Sequence, residues 1–227
     1  MKKLFLLLSL LITLSTYSQT IPSNGSINSS GCIQCDSLNI GDSFSINGNT
    51  MIVVNRPMLD SMVTGQYDVT KACVSHITDF SNTFSSYVNF NQNIYQWDVS
   101  NAVDMSSMFQ GTRYFNYDIG NWDVSKVQNF KEMFRGSDNF NQDISSWDVS
   151  SVTGAAAMEG MFRASGSFNQ NLSSWCVLNI TSTPSFFNYS SVLSSNNLPN
   201  WGTCPNGIIS VTFNNATIID TSSACQD

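Results

Sequence analysis

Few residues of this chain could do covalent or acid–base chemistry. His76 is the only histidine, so nucleophilic or general-base chemistry that relies on imidazole would have to centre on it. No convincing set of partners surrounds it, and we predict that the protein is not an enzyme, with no catalytic residue and no cofactor. Cys32-Ile33-Gln34-Cys35 has the spacing of a redox pair, but no thioredoxin-like strand and helix context is predicted around it. We therefore expect structural disulfides here.

Acidic residues recur at fixed intervals and raise the question of a calcium site. Asp98, Asp123 and Asp148 are equally spaced along the chain. A second such set contains both amides and carboxylates: Asn93, Asp118, Asp143 and Asn171. Adjacent like charges are unfavourable unless they are solvated or bridged, and Ca²⁺ favours clustered oxygen ligands. Because no loop has the spacing of a calcium-binding motif, we favour hydrogen bonds to turns, or solvation, over a metal site.

Aromatic residues supply the best candidates for ligand contact. Tyr95 and Tyr117 fall between the apolar positions of the chain, which predicts that they are exposed, and tyrosine is frequent in binding sites. We group them as contact candidates with the three aspartates Asp98, Asp123 and Asp148. The tryptophans Trp97, Trp122, Trp147 and Trp175 could stack on sugars, but their spacing with Ile and Val predicts core positions instead.

An internal repeat determines where all of these residues lie. The segment 90–100, FNQNIYQWDVS, returns at a constant period over 115–125 and again over 140–150. A fourth copy begins at Phe168, later than this period requires, and the extra residues fall within 153–157. An earlier, degenerate copy is marked by four apolar residues: Val74, Ile77, Phe80 and Phe84.

The apolar spacing changes within each copy. Trp-x-Val alternates with period two and predicts a short strand, whereas 105–109 and 130–134 place apolar groups three and four apart and predict a short helical turn. One copy cannot bury its large side chains alone, so the copies must stack, column over column. The sequence therefore predicts an α/β repeat solenoid of about five coils, each a short strand plus a short helical turn.

Segments at both ends are predicted to cap this stack. We expect an N-terminal cap over 19–64, with a hairpin that turns at Asn47-Gly48 and a short helix from Arg56 to Val63. The solenoid then covers 65–205, and 206–227 forms a C-terminal hairpin or tail.

Six cysteines fit a scheme of three disulfides. Cys73 and Cys176 occupy the repeat position of Asp98, in the first and last coils, whose outer faces have no neighbouring copy. We predict Cys35–Cys73 and Cys176–Cys204, each joining a cap to its terminal coil. Two arrangements are open for Cys32 and Cys225: the two residues pair, or Cys32 exchanges with Cys35.

The N-terminus predicts export. Lys2 and Lys3 precede an apolar run, Leu4 to Leu14, which is too short to span a bilayer and is followed by small polar residues, as in a signal peptide over 1–18. We expect a secreted or extracellular protein with no membrane span. The sequence leaves open whether it is retained at the cell surface. The chain has 9 Lys and Arg against 16 Asp and Glu, and this balance argues against a nucleic-acid partner.

The repeat resembles that of the BspA-like surface proteins, whose degenerate leucine-rich repeat of similar length also occurs in mycoplasma surface lipoproteins. The match rests on 140–150, on a Met-Phe ending in each copy and on the closing Trp201-Gly202-Thr203-Cys204-Pro205, and it covers roughly residues 42–205. The resemblance implies a leucine-rich-repeat-like fold, a cell-surface or secreted location, a role in adhesion or protein binding, and no catalytic residues. The chain has fewer repeats than many of these relatives.

We therefore expect a monomeric binding or adhesion module that presents one face of the solenoid to a protein or glycan ligand on another cell or matrix. The alternative is an architectural spacer, or a fragment of a larger surface protein, with no ligand of its own; the short array favours this alternative. A hydrolase is the least favoured of the three.

Overall fold

The computed structural model describes residues 25–189 and 191–205, together with the backbone of 210–213 and 216–219. The predicted signal peptide over 1–18 and Cys225 lie outside the described residues. Strands β6 (Ser210–Phe213) and β7 (Ala216–Ile219) form an antiparallel hairpin, which is one of the two alternatives, hairpin or tail, predicted for the C-terminal segment. Within the described part of the chain, no helix has both the length and the apolar character needed to cross a membrane.

The N-terminal region contains five short strands, one α-helix and one short 3-10 helix (Val69–Lys71). Strands β1 (Ser26–Ile27) and β2 (Ile33–Gln34) pair antiparallel. Strands β3 (Ser43–Ile46) and β4 (Asn49–Val53) form the predicted hairpin. Asn47 and Gly48 both have positive φ, 50° and 77°, as the tightest hairpin turns require. Strand β4 also pairs in parallel with β5 (Ala72–Cys73), the first element of the repeats.

Helix α1 (Arg56–Thr64) follows this hairpin and covers the first copy of the repeat. Its N-cap is Asn55, whose side-chain oxygen accepts from the Met58 N–H at 3.0 Å, and Pro57 suits the first turn because its missing donor is not needed there. The apolar face of α1 is anchored by Leu59 and Val63, which are buried in the main core.

Backbone hydrogen bonds join successive copies of the repeat through four segments, which we call the ladder segments: 80–86, 105–111, 130–136 and 158–164. Alternate N–H groups of each ladder segment donate to carbonyl oxygens of the next copy over 2.7–2.9 Å. Phe84 donates to Met108, for example, and Phe109 to Met133, both over 2.9 Å. The copies therefore lie directly against one another, in register.

The prediction of a helical turn at the ladder segments is wrong. Ser107 and Gly111 have φ of 53° and 71°, a left-handed conformation that a right-handed helix cannot contain. The intervening N–H groups do not reach the next copy and instead close tight turns within the segment. The Met108 N–H, for example, donates to the Met105 carbonyl at 3.2 Å. Apolar spacings of three and four thus mark a row of tight turns whose remaining donors pair with the neighbouring copy.

The predicted strand at Trp-x-Val is also not formed in the described copies after the first. Trp97 makes an isolated parallel bridge to Ile33, but no strand or bridge includes Trp122, Trp147 or Trp175. The bridges between copies lie in or beside the ladder segments, where Asp104 is bridged to residues of both neighbouring copies. The backbone ladder therefore lies at a different position in the repeat from the strand that side-chain alternation predicted.

A single core runs through the stacked copies from Val54 to Leu193. Its centre is a column of phenylalanine rings, whose centroids are 5.5 Å apart between Phe84 and Phe109 and again between Phe109 and Phe134, and 5.7 Å apart between Phe134 and Phe162. All four repeat tryptophans are buried, as predicted. Because each such ring buries about 150–250 Å², these columns supply a large apolar burial that no single copy could achieve alone.

Disulfides close both ends of the stack. The bonds are Cys35–Cys73 and Cys176–Cys204, the two pairs that the repeat register predicted. The first lies in a small separate core with Phe44, Met51 and Val53. At the other end, the ring of Trp201 meets that of Phe187 edge-on, with centroids 5.1 Å apart. Cys32 has no disulfide partner among the described residues.

Candidate binding surfaces

The recurrent aspartates stabilise the turns that contain them. Oδ1 of Asp98, Asp123 and Asp148 accepts from the backbone N–H two residues further on, at 3.2, 3.0 and 2.9 Å. Asp143 makes the same bond to Ser145, and hydrogen bonds from the side chain and backbone of Ser145 hold the pKa of its carboxyl below the usual range. Asn and Asp favour this local arrangement at turns. Among the described residues, no cluster of three or more His, Cys, Asp and Glu side chains is placed to hold a metal ion.

The structure separates the predicted contact residues into covered and exposed ones. Asp98 is only 1% exposed, because the segment of β2 lies over its copy, where the Ile33 N–H donates to the Gln96 carbonyl at 2.8 Å. The expectation that Asp98 contacts a ligand at the surface is therefore wrong. Tyr95 is half-buried, with its hydroxyl 3.5 Å from the Ser30 carbonyl oxygen. Asp123, Asp148 and Tyr117 are exposed, and their role as contacts stays a prediction.

The pair of cysteines that resembled a redox motif does not form a disulfide of its own. Cys35 is bonded to Cys73, and the buried Cys32 has its Sγ 3.2 Å from the side-chain amide nitrogen of Asn121. Burial, together with the nearby carboxylates of Asp98 and Asp123, raises the pKa of the Cys32 thiol to about 11. A thiol with so high a pKa is a poor nucleophile near neutral pH.

His76 holds the N-terminal cap against the first copy. Its Nε2 lies 2.9 Å from the Leu38 carbonyl oxygen and 3.2 Å from that of Cys35. Nε2 therefore carries a hydrogen and donates to these oxygens, which is a structural use of the imidazole.

A surface group of two exposed rings and one half-buried arginine, which we call the aromatic cluster, was not singled out by the sequence. Phe186 and Tyr189 are 51% and 58% exposed, and their rings meet edge-on with centroids 5.7 Å apart. The guanidinium carbon of Arg163 lies 5.1 Å from the Phe186 ring centre and 5.8 Å from that of Tyr189. The only sequence signal is the pair Phe186-Phe187, of which one ring can enter the core; Phe187 is the buried one.

Charged side chains of both signs follow the ladder segments. Arg135 Nη1 lies 2.9 Å from Glu132 Oε1, and Lys131 Nζ lies 3.0 Å from Glu159 Oε2 in the next copy. Such partly exposed ion pairs contribute little to stability. This side of the stack, with the aromatic cluster at its C-terminal end, is therefore mixed in charge, in contrast to the aspartate turns.

The chain matches one known family. The family model described as "Mycoplasma protein of unknown function, DUF285" matches it twice, over residues 56–158 and 154–224. These matches cover α1, all the ladder segments and the C-terminal hairpin. No curated protein and no solved structure matches the chain.

Proposed function

We propose, on the premise that the chain belongs to the DUF285 family of Mycoplasma proteins, that it is a secreted or cell-surface adhesion module which binds a protein or glycan ligand. In this proposal the repeat region is a BspA-like, leucine-rich-repeat-like solenoid, and the ligand binds along one face of it. Two disulfides support an extracellular location, because such bonds persist in oxidising compartments.

The stacked copies support a role in presentation rather than in chemistry. The ladder bonds and the phenylalanine column give a rigid scaffold, and rigid scaffolds position surface side chains at little entropic cost on binding. Successive copies place equivalent surface residues at the spacing of the ring column, 5.5–5.7 Å between centroids. Such a surface suits an extended ligand.

The aromatic cluster is the observation that carries the proposal. Aromatic residues and arginine dominate the energetics of protein interfaces, and here two rings that are more than half exposed are held in place by a guanidinium group. Burying them against a ligand would remove exposed apolar surface from water. The cation–π contacts fix the two rings in advance, so that little flexibility is lost on binding.

The experiment is a binding assay on purified extracellular-matrix proteins and immobilised glycans, with the variants Phe186→Ala and Tyr189→Ala. The matched control is Tyr114→Ala, since Tyr114 is exposed to a similar degree and lies outside the cluster. We expect each cluster variant to bind at least roughly tenfold more weakly than wild type, a loss of about 1.4 kcal/mol. Alanine variants of Tyr117 and Asp123 test the contacts predicted from the sequence. Absence of binding across the whole panel would favour the architectural spacer instead.

A further inference from the structure

A concave site lies at the N-terminal end of the stack, and we call it the end pocket. It has a volume of about 480 Å³ and lies between residues 63–69 and 86–92. This volume falls within the roughly 300–1,000 Å³ of typical ligand pockets. Its lining includes the aromatic side chains of Tyr67, Tyr87 and Phe90.

The end pocket exists because one column of rings stops short. Phe90 stacks on Phe115 with 5.6 Å between centroids, and Phe115 on Phe140 with 6.1 Å. The residue one repeat period before Phe90 is Gly65, so the degenerate first copy contributes no ring to this column. Phe90 consequently remains 9% exposed, whereas Phe115 is 0% exposed. A planar group placed in the pocket would continue the column.

An asparagine at the rim of the end pocket lacks the bonds that its counterparts make. Oδ1 of Asn116 accepts from the Asn141 N–H at 2.9 Å and from Gln142 Nε2 at 2.8 Å, and Oδ1 of Asn141 is bonded in the same way by the following copy. For Asn91 the next copy offers Tyr117 in place of the glutamine, and no such bonds form in the described residues. The amide of Asn91 is therefore available to a ligand.

The lining selects an uncharged, hydroxylated ligand. It contains no Asp, Glu, Lys, Arg or His, and a charged group placed there would lose hydration without gaining an opposite charge. An entirely apolar ligand would leave the side-chain amides of the lining without partners. Gln92 is already used, because its Nε2 donates to the Tyr67 carbonyl at 3.0 Å and its Oε1 accepts from the Val69 N–H at 2.8 Å. Gln92 therefore holds the wall of the pocket in shape.

We propose that the end pocket binds a neutral sugar residue, whose apolar face packs against Tyr67 and the exposed part of Phe90 and whose hydroxyls bond to the amide of Asn91. A sugar ring has an apolar face, which suits the aromatic side chains of the lining, and several hydroxyl groups, which suit its side-chain amides. This inference rests on the proposed function, since it assigns one of the two ligand classes to a site separate from the aromatic cluster.

The test is binding of the full chain to immobilised neutral oligosaccharides that end in glucose, galactose, mannose or N-acetylglucosamine, with sialylated oligosaccharides as charged comparators. We expect at least one neutral probe to bind and the sialylated probes to bind more weakly. Tyr67→Ala and Asn91→Ala should each weaken binding about tenfold or more, and Val88→Trp should block the pocket. Tyr114→Ala is the matched control, because Tyr114 and Tyr67 are both 53% exposed.

The variants at the end pocket and at the aromatic cluster separate this inference from the proposed function. Unchanged binding of neutral probes in both Tyr67→Ala and Val88→Trp, with thermal midpoints close to that of wild type, would overturn the end pocket as a sugar site. Loss of binding in Phe186→Ala alone would overturn it too, while leaving the adhesion role in place. If no probe and no matrix protein binds, both proposals fail together.

Discussion

The guanidinium group of Arg56 donates to the carbonyl oxygen of Ser81 over 2.7 Å, and also to that of Asp79 over 2.8 Å. The equivalent carbonyls of the next copy, those of Asp104 and Ser106, accept from backbone N–H groups of the preceding copy. Arg56 on α1 therefore substitutes for the copy that is missing at the N-terminal edge of the ladder. An unpaired sheet edge invites pairing with another chain, so this contact also protects the end of the stack.

Replacing Arg56 should therefore destabilise the protein. We expect Arg56→Met to lower the free energy of unfolding by about 1–3 kcal/mol, because hydrogen bonds from a charged donor are lost at the ladder edge. Arg113→Met is the control, since Arg113 is exposed and makes only a 3.5 Å ion pair with Asp138, and should change stability by less than about 0.5 kcal/mol. Urea unfolding measures both, and equal losses in the two variants would contradict the capping role.

The tryptophans of two adjacent copies should respond differently to one substitution. The Trp147 indole N–H donates to the Ile119 carbonyl at 3.1 Å, whereas the buried indole N–H of Trp122 has no partner among the described residues. Phenylalanine removes the same ring atoms in both cases, so the loss of packing is similar. Only Trp147 also loses a hydrogen bond. We expect Trp147→Phe to cost about 1–2 kcal/mol more than Trp122→Phe. A chemical-denaturation series that ranks them in the reverse order would show that packing dominates.

The left-handed positions of the ladder segments should show opposite responses to glycine and alanine. Gly136 and Ala164 are equivalent residues of two copies, with φ of 67° and 57°. A Cβ on Gly136 would meet only the backbone of Gly111, its Cα at 3.8 Å and its N at 3.9 Å, so the cost of Gly136→Ala lies in the backbone and should be about 1 kcal/mol. Ala164→Gly should stabilise by up to about 1 kcal/mol. Thermal midpoints that move in the same direction for both variants would disprove this explanation.

The raised pKa of Cys32 predicts a loss of stability at alkaline pH. The folded protein holds the thiol proton up to a pKa of about 11, against 9.0 for the ordinary thiol, so the stabilisation is complete below pH 9.0 and is lost as the pH rises towards 11. We expect the unfolding free energy to fall over this range by an amount on the order of 2 kcal/mol. Cys32→Ala should flatten this decline. Parallel pH profiles for wild type and variant would mean that the thiol does not titrate.

The aspartate turns should need an oxygen acceptor but neither a charge nor a metal ion. Asp148→Asn keeps the acceptor for the Ser150 N–H and should change stability by less than about 0.5 kcal/mol, whereas Asp148→Ala removes it and should cost about 1 kcal/mol. Asn171, which accepts from the Ser173 N–H at 3.0 Å in the other recurrent set, shows that an amide can serve. Calorimetric melts with calcium and with a chelator should have equal midpoints; a higher midpoint in calcium would revive the metal site.

Much of the architecture could be predicted from the repeat alone. The repeat alignment, with the extra residues of 153–157 allowed for, placed Cys73 and Cys176 at the aspartate position, and the two disulfides predicted from that placement are formed. The hairpin at Asn47-Gly48 followed from local turn chemistry, which needs no tertiary information.

Other features depended on contacts between distant parts of the chain. The apolar spacing of three and four is compatible both with a helix and with the row of tight turns that contains Ser107 and Gly111. The choice depends on whether the N–H groups bond within the segment or to the next copy, a full repeat period away in the sequence. For the same reason, nothing near Asp98 in the sequence indicated that β2 would cover it.

The sequence by itself determined the periodicity and the tryptophan and phenylalanine columns, because side-chain type and spacing decide which positions must be buried together; it predicted two disulfide pairs but left the choice between Cys32 and Cys35 open. Only the tertiary structure decided which aspartates reach solvent, which of Phe186 and Phe187 enters the core, and where the column of rings ends over Phe90. Those outcomes depend on which residues of the other copies and of the caps contact each position. Such contacts join residues that are distant in the sequence, so a local pattern does not reveal them.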